Sequence, residues 1–386
     1  MDDDLSADQQ VLVDAAARFA EDTFPIAKLR ERAFDDDAFA AAYRRQAGEL
    51  GWFSLVVPEE HGGGSVSGNG ALDAALVAYT RGRLLQPVGF VGANVVAHAI
   101  ATSGTGPDGG AQRERALAAL MAGDAPGAWV VGNLSGAPAL DGAVDATPNR
   151  DGPDGDGWSL SGTAVMVEDA DATAWLLVAA ATPEGPAQLL VAPGTAGVSF
   201  APVDGLDLSR RYADVTFTGA AIPASALVGA IGDRAFGERL LALASTLTVA
   251  ECVGAMHQEL EMTVDYAKQR IAFGRPIGSF QAIKHLLADT STMLEVSKAV
   301  ALAAASQVGD DDPHAAQAAS QAKAFVADAA MDQAQACFQV FGGISFTWEH
   351  DQHLFFRRIT TGAEQFGDAA WHREHVCVLA GIGRVA

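Results

Sequence analysis

The pattern of apolar and polar positions divides the chain into a helical part, a β part and a second helical part. In residues 126–232, short β-favouring runs alternate with clusters of Gly, Pro, Asp and Asn, which predicts six or more short strands in a small barrel or sandwich. Residues 233–386 return to helical spacing. Residues 1–125 are predicted to be helical, with helices at 4–22, 37–50, 70–103 and 110–122.

The third part contains one long predicted helix followed by a tight turn. The run 273–276 (FGRP) interrupts the helical period, and Ser279 is the predicted N-cap of a helix that starts near Phe280. The turn holds Arg270, and from this stretch alone an ordinary helical hairpin with surface arginines is an equally good interpretation. The helix spans 239–268 and places these residues on one face: Val249, Val253, Met256, Leu260, Val264, Ala267 and Ile271.

Composition limits the function without specifying it. With 386 residues, 49% of them hydrophobic, the chain can form two or three domains with a large core. The formal net charge of -23 argues against a nucleic-acid partner, because phosphate contacts need clustered Lys and Arg. No apolar run approaches the roughly 20 residues of a membrane helix, and no signal peptide is visible, so we expect a cytoplasmic protein. The three dispersed cysteines, Cys252, Cys337 and Cys377, fit packing better than a metal site, and no metal is expected.

Two short motifs carry a family resemblance. Arg270, Phe273 and Gly274 are followed by Gln281, and a second stretch, FQVFGGISFTWEHDQH at 338–353, begins with a Gln-x-x-Gly-Gly phrase. Together, and in a helical–β–helical order, these stretches resemble the acyl-CoA dehydrogenase family. The resemblance implies that the fold ends in a C-terminal four-helix bundle. It also implies FAD-dependent α,β-dehydrogenation of an acyl-CoA thioester, with an acceptor of the electron-transfer flavoprotein type.

The same resemblance implies roles for the motif residues. Arg270 and Gln281 would contact the FAD pyrophosphate and adenosine, and Phe273 would pack against the cofactor. The chain would then form a dimer or tetramer, either with copies of itself or with a second acyl-CoA dehydrogenase-like chain, because a further set would reach FAD bound mainly by a neighbouring subunit. That set is Gln339, Gly342 and Gly343.

The middle domain departs from the family pattern. The family's flavin-binding phrase is replaced by VVGNLSGAPALDG at 130–142, where Asn133 and Ser135 are the candidate hydrogen-bond donors. Met166 occupies the position of a tryptophan that packs on the flavin, and Glu168 that of a threonine.

Two glutamates are candidates for the catalytic base. Glu251 is the first choice, because its neighbours in LTVAECVGAM are apolar and burial would raise the pKa of its carboxyl. It could instead lie on a solvated polar stripe with Gln258, Glu261 and Asp265. Glu364, near the C-terminus, is the second choice.

Two further arginines and two further functions stay open at this point. Arg210 and Arg211 would meet CoA phosphates or a partner domain, or be surface charges, and the last interpretation is favoured. The chain is interpreted as a dehydrogenase subunit. The alternatives are a non-catalytic subunit that completes a partner's FAD site, and a flavin monooxygenase or oxidase of the same fold.

Overall fold

The structure, a computed structural model, describes residues 5–31, 35–104, 110–132, 137–149 and 157–382. Its helical, β, helical order confirms the predicted fold class. Eleven α-helices and ten strands lie in these ranges. The N-terminal helices are α1 (Ala7–Thr23), α2 (Ile26–Arg30), α3 (Asp37–Glu49), α4 (Gly70–Arg83), α5 (Val91–Thr102) and α6 (Gly110–Met121).

The first domain differs from its prediction at one point. A single helix was predicted over 70–103, but α4 ends at Arg83 and α5 begins at Val91. Leu85 and Val88 have positive φ, and Pro87 lies between them, so the helix cannot continue through this segment. At the start of the domain Ser6 forms a capping box with Gln9.

The middle domain is one mixed sheet of eight strands. Its order is β6-β7-β3-β2-β4-β5-β8, and β1 pairs with β4 in parallel. One face has its own apolar core, and the other packs on the helical core through residues such as Trp129, Leu177 and Leu190. The strands are β1 (Gly127–Val130), β2 (Val144–Pro148), β3 (Gly157–Glu168), β4 (Trp175–Thr182), β5 (Gly185–Val191), β6 (Val198–Val203), β7 (Tyr212–Pro223) and β8 (Leu227–Val228).

The last domain is built on α7, which is buried along most of its length. Helix α7 starts earlier than predicted, at an Asp233 N-cap. In the turn after it, β9 (Ile271–Ala272) pairs with β10 (Arg275–Pro276) as a small hairpin. Ser279 is not the N-cap of α8 as predicted, because its hydroxyl donates to the Pro276 carbonyl instead. The helices are α7 (Arg234–Gln269), α8 (Gln281–Gly309), α9 (Ala315–Phe341), α10 (Gln352–Glu364) and α11 (Ala369–Leu379).

Candidate functional site

A cavity of about 640 Å³ lies between the sheet and the end of α10. Its wall is mainly apolar, and few charged side chains reach it. Such a concave, apolar space with a few polar groups is the usual form of a small-molecule site. The sheet contributes residues including Trp129, Val131, Gly132, Met166, Glu168, Tyr212 and Asp214; α10 and the loop after it contribute Thr360, Thr361, Glu364, Gln365 and Phe366.

Two strands position the sheet side of the cavity. Trp129 is fixed on β1 because its Nε1–H donates to Gln188 Oε1 at 3.0 Å, and its ring stacks on Phe366 with centroids 6.0 Å apart. The pairing of β3 with β7 is irregular between Ala164 and Val167. At this bulge Met166 has a φ of 54°, which directs an exposed thioether into the cavity wall.

On the α10 side, the carboxylate of Glu364 is exposed and unpaired. Among the described residues, it is the one carboxylate of the cavity with both properties. Glu364 ends α10 and lines the cavity, and no hydrogen bond or ion pair joins it to another residue in the described ranges. The next residue, Gln365, donates from Nε2 to Glu168 Oε2 at 2.8 Å. That bond joins the loop after α10 to strand β3 across the cavity.

A cluster of charged side chains is buried beside the cavity, where all three domains meet. Arg210 Nη2 lies 2.5 Å from Glu251 Oε1, and Arg210 Nε lies 3.0 Å from Glu168 Oε1. Arg358 Nε lies 2.5 Å from Asp207 Oδ2. We call this set the arginine cluster: Arg81, Arg210, Arg358, Glu168, Asp207 and Glu251.

The expectation of a raised pKa at Glu251 is wrong. Glu251 is buried and lies within 3.5 Å of Arg81 and Arg358 as well as 2.5 Å from Arg210. Burial by itself raises the pKa of this carboxyl, but the attraction of the three guanidinium groups lowers it to about 2. Glu251 is also not part of the cavity wall. A carboxylate with so low a pKa, whose Oε1 atom faces three guanidinium groups, is poorly suited to accept a proton, so the geometry does not support it as the base.

The preferred interpretation of Arg210 as a surface charge is also wrong. Its side chain is buried and holds two carboxylates, and Nη1 donates to the carbonyls of Gln86 and Val88. It therefore joins the β domain to both helical domains. Arg211, by contrast, is partly exposed and pairs with Asp37 at 2.7 Å.

Glu168 has the properties that were expected of Glu251. It is buried in the cavity wall, and desolvation raises the pKa of its carboxyl although Arg210 opposes the shift. The hydroxyl of Tyr212, which also lines the cavity, has no hydrogen-bond partner among the described residues. Because both oxygens are already engaged by Arg210 and Gln365, Glu168 is a wall residue and a poor proton acceptor.

The motif residues lie at the far end of α10. Tyr266 packs on Phe341 with ring centroids 4.7 Å apart, which brings the turn after α7 next to the loop after α9. Helix α10 has 13 residues, so this end lies about 20 Å from the cavity. The two motifs therefore lie near this end of the bundle, and none of their candidate residues lines the cavity: Arg270, Phe273, Gln281, Gln339, Gly342 and Gly343.

This end of the bundle presents a surface with few internal contacts. Phe273 is 95% exposed and has a φ of 52°, a left-handed conformation that is costly for an aromatic residue. Phe346 and Trp348 are exposed nearby. Gly342 has φ 64° and ψ -140°, which only glycine adopts readily. The predicted contacts of this surface with FAD stay predictions.

Asn133 and Ser135 lie outside the described residues, so their predicted role stays a prediction. Gly132, just before them, lines the cavity.

The residues present fit a flavin nucleotide. The apolar cavity suits a flat ring, and the buried Tyr212 hydroxyl is a polar group that lacks a hydrogen-bond partner among the described residues. At the other end, the Arg270 side chain is exposed without a partner in the described ranges, and a Cβ at Gly342 or Gly343 would meet nothing within 4 Å. An unpaired guanidinium beside accessible backbone suits a diphosphate.

Two other kinds of site were searched for in the described ranges. No group of three His, Cys, Asp or Glu side chains there is arranged to hold a metal ion. Helix α7 is long and apolar enough to cross a bilayer, but 94% of its apolar window is buried inside the fold.

Comparison with known proteins gives the class. The family model described as the N-terminal domain of acyl-CoA dehydrogenase matches residues 6–124, and the model of the C-terminal domain matches residues 235–377. The chain belongs to the acyl-CoA dehydrogenase family.

Individual relatives come from Mycobacterium tuberculosis. The chain is 32% identical over 354 residues to acyl-CoA dehydrogenase FadE34. This match covers 90% of the present chain and 43% of FadE34, so the chain spans less than half of that protein. It is 30% identical over 340 residues to acyl-CoA dehydrogenase IpdE2, covering 88% of this chain and 85% of IpdE2. Among solved structures, the ChsE4-ChsE5 complex matches with a TM-score of 0.84 and 25% identity, over 99% of each chain.

Sequence reasoning missed several residues that shape the cavity. The Trp129–Phe366 stack, the Gln365–Glu168 bond and Arg358 were not singled out. Arg358 follows Arg357 in an apolar helix, and a charged residue on an otherwise apolar face was the available signal.

Proposed function

We propose that this chain catalyses the α,β-dehydrogenation of an acyl-CoA thioester with FAD, as one subunit of an oligomer. Family membership supports the reaction type. The observation that carries the assignment in this chain is the unpaired carboxylate of Glu364 on the wall of a mainly apolar cavity. Acyl-CoA dehydrogenation needs a base and a hydride acceptor next to one another, in a space from which most water is excluded.

The chain's own residues would divide the work. Glu364 removes the proton from the α carbon, and bound FAD supplies the acceptor for the β hydride. Trp129, Met166 and Phe366 form an apolar surface that would exclude water from the reacting groups. The role of base thus moves from Glu251, the first choice, to Glu364, the second.

A substitution with a matched control tests this role. Glu364→Gln keeps the size of the side chain and removes the base, so we expect turnover with acyl-CoA to fall by about 100-fold or more. Glu374→Gln makes the same charge change on an exposed position of α11, outside the cavity, and is expected to be neutral. Full activity of Glu364→Gln would remove the basis of the assignment.

The second part of the proposal concerns the partner. The phosphate-binding candidates lie at the far end of α10 from the cavity, so one chain does not bring both sets around one FAD. Phe273, Phe346 and Trp348, which lie close to those candidates in sequence, are exposed. These features support an oligomer, and the likeness to the ChsE4-ChsE5 complex supports a second, different chain.

The visible spectrum of the purified chain separates the two kinds of oligomer. A flavin spectrum near one FAD per chain or per dimer supports a homo-oligomer that binds FAD by itself. A colourless chain that becomes yellow on co-purification with a second family member supports the heteromeric form. A chain that stays colourless with every such partner contradicts the FAD assignment.

A non-catalytic subunit is the second candidate function. It is favoured by the exposure of Glu364, because a base for a carbon-bound proton works best in a dry slot. In that case the partner supplies the base, and Glu364→Gln leaves the assembled enzyme fully active.

A further inference from the structure

The cavity wall at the end of α10 has an unusual backbone. Helix α10 ends at Glu364, and the chain then passes through Phe366 with φ 59° and Gly367 with φ 103°. Thr360, Thr361, Glu364, Gln365 and Phe366 all line the cavity. We call residues 360–367 the wall segment. Its last helical carbonyls have no partners within the helix, so they need donors from elsewhere.

Lys323 of α9 donates two of the hydrogen bonds that these carbonyls need. Its Nζ lies 2.6 Å from the carbonyl oxygen of Gly362 and 2.7 Å from that of Ala363. The side chain is 1% exposed, and its bonds among the described residues go to these two carbonyls and not to a carboxylate. The ammonium instead sits at the C-terminal end of a helix, where the partial negative charge of the peptide dipoles stabilises a cation.

His372 of α11 supplies a third bond. Its Nε2 lies 3.0 Å from the carbonyl oxygen of Phe366, which can only accept, so Nε2 carries the hydrogen. Burial, with a smaller effect of Lys323, lowers the pKa of His372 to about 3, so the ring is neutral. Nδ1 is then a bare acceptor, and it has no partner among the described residues.

We propose that Lys323 and His372 are positioning residues that hold the wall segment so that the Glu364 carboxylate faces the cavity. This inference rests on the proposed function of Glu364. Neither residue lines the cavity, so neither touches a bound molecule there. Their three bonds all end on backbone carbonyls between Gly362 and Phe366, directly flanking the carboxylate.

The burial of Lys323 at this helix end indicates a role beyond filling space in the core. Burying an ammonium group without a carboxylate partner is costly, and many helix ends are capped by a glycine instead. Burial lowers the pKa of Lys323 to about 8, although Cys252 on α7, Glu364 on α10 and Asp368 before α11 oppose the shift. The fold accepts this cost at the one described helix end that also forms the cavity wall beside Glu364.

Four variants test the inference in the full chain. Lys323→Met keeps the apolar stem and removes the donors, and His372→Leu removes the third bond. His372→Gln is the conservative variant, because a glutamine amide places an N–H donor near the position of Nε2. Lys298→Met is the matched control, since Lys298 is also largely buried in the bundle but pairs with Glu295 on α8, away from the cavity.

Two readouts are needed. Amide hydrogen exchange of the peptide covering 360–368 needs no ligand, and we expect it to speed up by about tenfold in Lys323→Met and His372→Leu only. In the FAD-loaded, assembled enzyme, kcat should fall by about tenfold with KM within twofold, because the base is displaced while binding is kept. His372→Gln should keep both the exchange rate of this peptide and kcat close to their wild-type values.

The outcomes separate this inference from the proposed function. Unchanged exchange in Lys323→Met, or an equal loss of kcat in Lys298→Met, would overturn the positioning role. If Glu364→Gln is fully active while exchange at 360–368 still rises in Lys323→Met, the positioning of the wall stands and the assignment of Glu364 as base fails.

Discussion

The arginine cluster and the turn after α7 both contain arginines, but these arginines differ in what neutralises their positive charge. In the arginine cluster, Arg81, Arg210 and Arg358 are buried and paired with carboxylates. In the turn after α7, Arg270 is exposed and has no partner among the described residues, and Arg275 lies over the Phe280 ring. The same residue type therefore stabilises the domain junction in one place and is available to an anion in the other. In a chain with a net charge of -23, such local positive charge is what a phosphate ligand requires.

The largest expected effect comes from breaking the arginine cluster at its centre. Glu251→Gln leaves three buried guanidinium groups short of one negative charge, so we expect the free energy of unfolding to fall by about 3–5 kcal/mol. Chemical denaturation measures this loss. Glu261→Gln is the control, because its pair with Arg83 is at the surface, and its effect should stay below about 1 kcal/mol. A Glu251→Gln protein of full stability that is inactive would restore Glu251 as the base.

Glu259, a second buried glutamate, should make the free energy of unfolding depend on pH in the opposite direction to Glu251. Burial raises the pKa of Glu259 to about 8, although Gln352 and Gln333 oppose the shift, whereas the pKa of Glu251 is lowered to about 2. Because folded Glu259 keeps its proton, its contribution is present below its unfolded pKa and is lost as the pH rises from about 4.5 through 8. Glu251 contributes stability above its unfolded pKa, and this is lost as the pH falls towards 2.

Urea titrations between pH 5 and 8 measure the contribution of Glu259. The wild-type chain should lose up to about 1.4 kcal/mol per pH unit relative to Glu259→Gln, which has no proton to release. Parallel pH profiles of the two proteins would show that the Glu259 carboxyl is ionised in the fold.

A substitution in the exposed turn after α7 should change the affinity for FAD and not the free energy of unfolding. Arg270→Gln is expected to weaken FAD binding by the assembled protein by about tenfold or more, since one charge-assisted contact contributes about 1.5–3 kcal/mol. Lys268→Gln, two residues away and also exposed, should leave the affinity unchanged. Titration followed by flavin fluorescence gives both values, and equal affinities in all three proteins would place the pyrophosphate elsewhere.

The smallest effect on stability is expected at Phe273. The side chain is 95% exposed in a left-handed conformation, so Phe273→Asn should change the free energy of unfolding by less than about 0.5 kcal/mol. Its assembly with a partner chain should nevertheless weaken, which sedimentation or mass photometry would detect. A loss of several kcal/mol in the isolated chain would show that Phe273 packs internally.

The contrast between the two regions also explains what the sequence could predict. The turn at 270–281 is local, and its Phe-Gly pair with two positive φ values follows from neighbouring residues. The arginine cluster joins Arg81, Arg210, Glu251 and Arg358, which come from all three domains and become neighbours only in the fold. An apolar sequence around Glu251 indicates burial, but it does not indicate that arginines are buried with it. For the same reason the pKa was predicted in the wrong direction.

The order of the domains was accessible because helices and strands have different local periods. The cavity wall was not, because it combines strand residues near Glu168 with the end of α10 almost 200 positions later; the Gln365–Glu168 bond spans 197 residues. Glu364 could be named as a candidate, but only the fold shows that it reaches the cavity and that Glu251 does not.

The most direct test of the account is the exchange of the α proton of an acyl-CoA with solvent deuterium. The probe is a series of straight-chain and branched acyl-CoA thioesters, incubated in D₂O with the FAD-loaded, assembled protein and followed by NMR. This reaction reports the base alone and needs no electron acceptor. We expect exchange in the wild-type protein and in Glu374→Gln, and its loss in Glu364→Gln. Exchange at the wild-type rate in Glu364→Gln would contradict the central claim that the cavity carboxylate of this chain is the base.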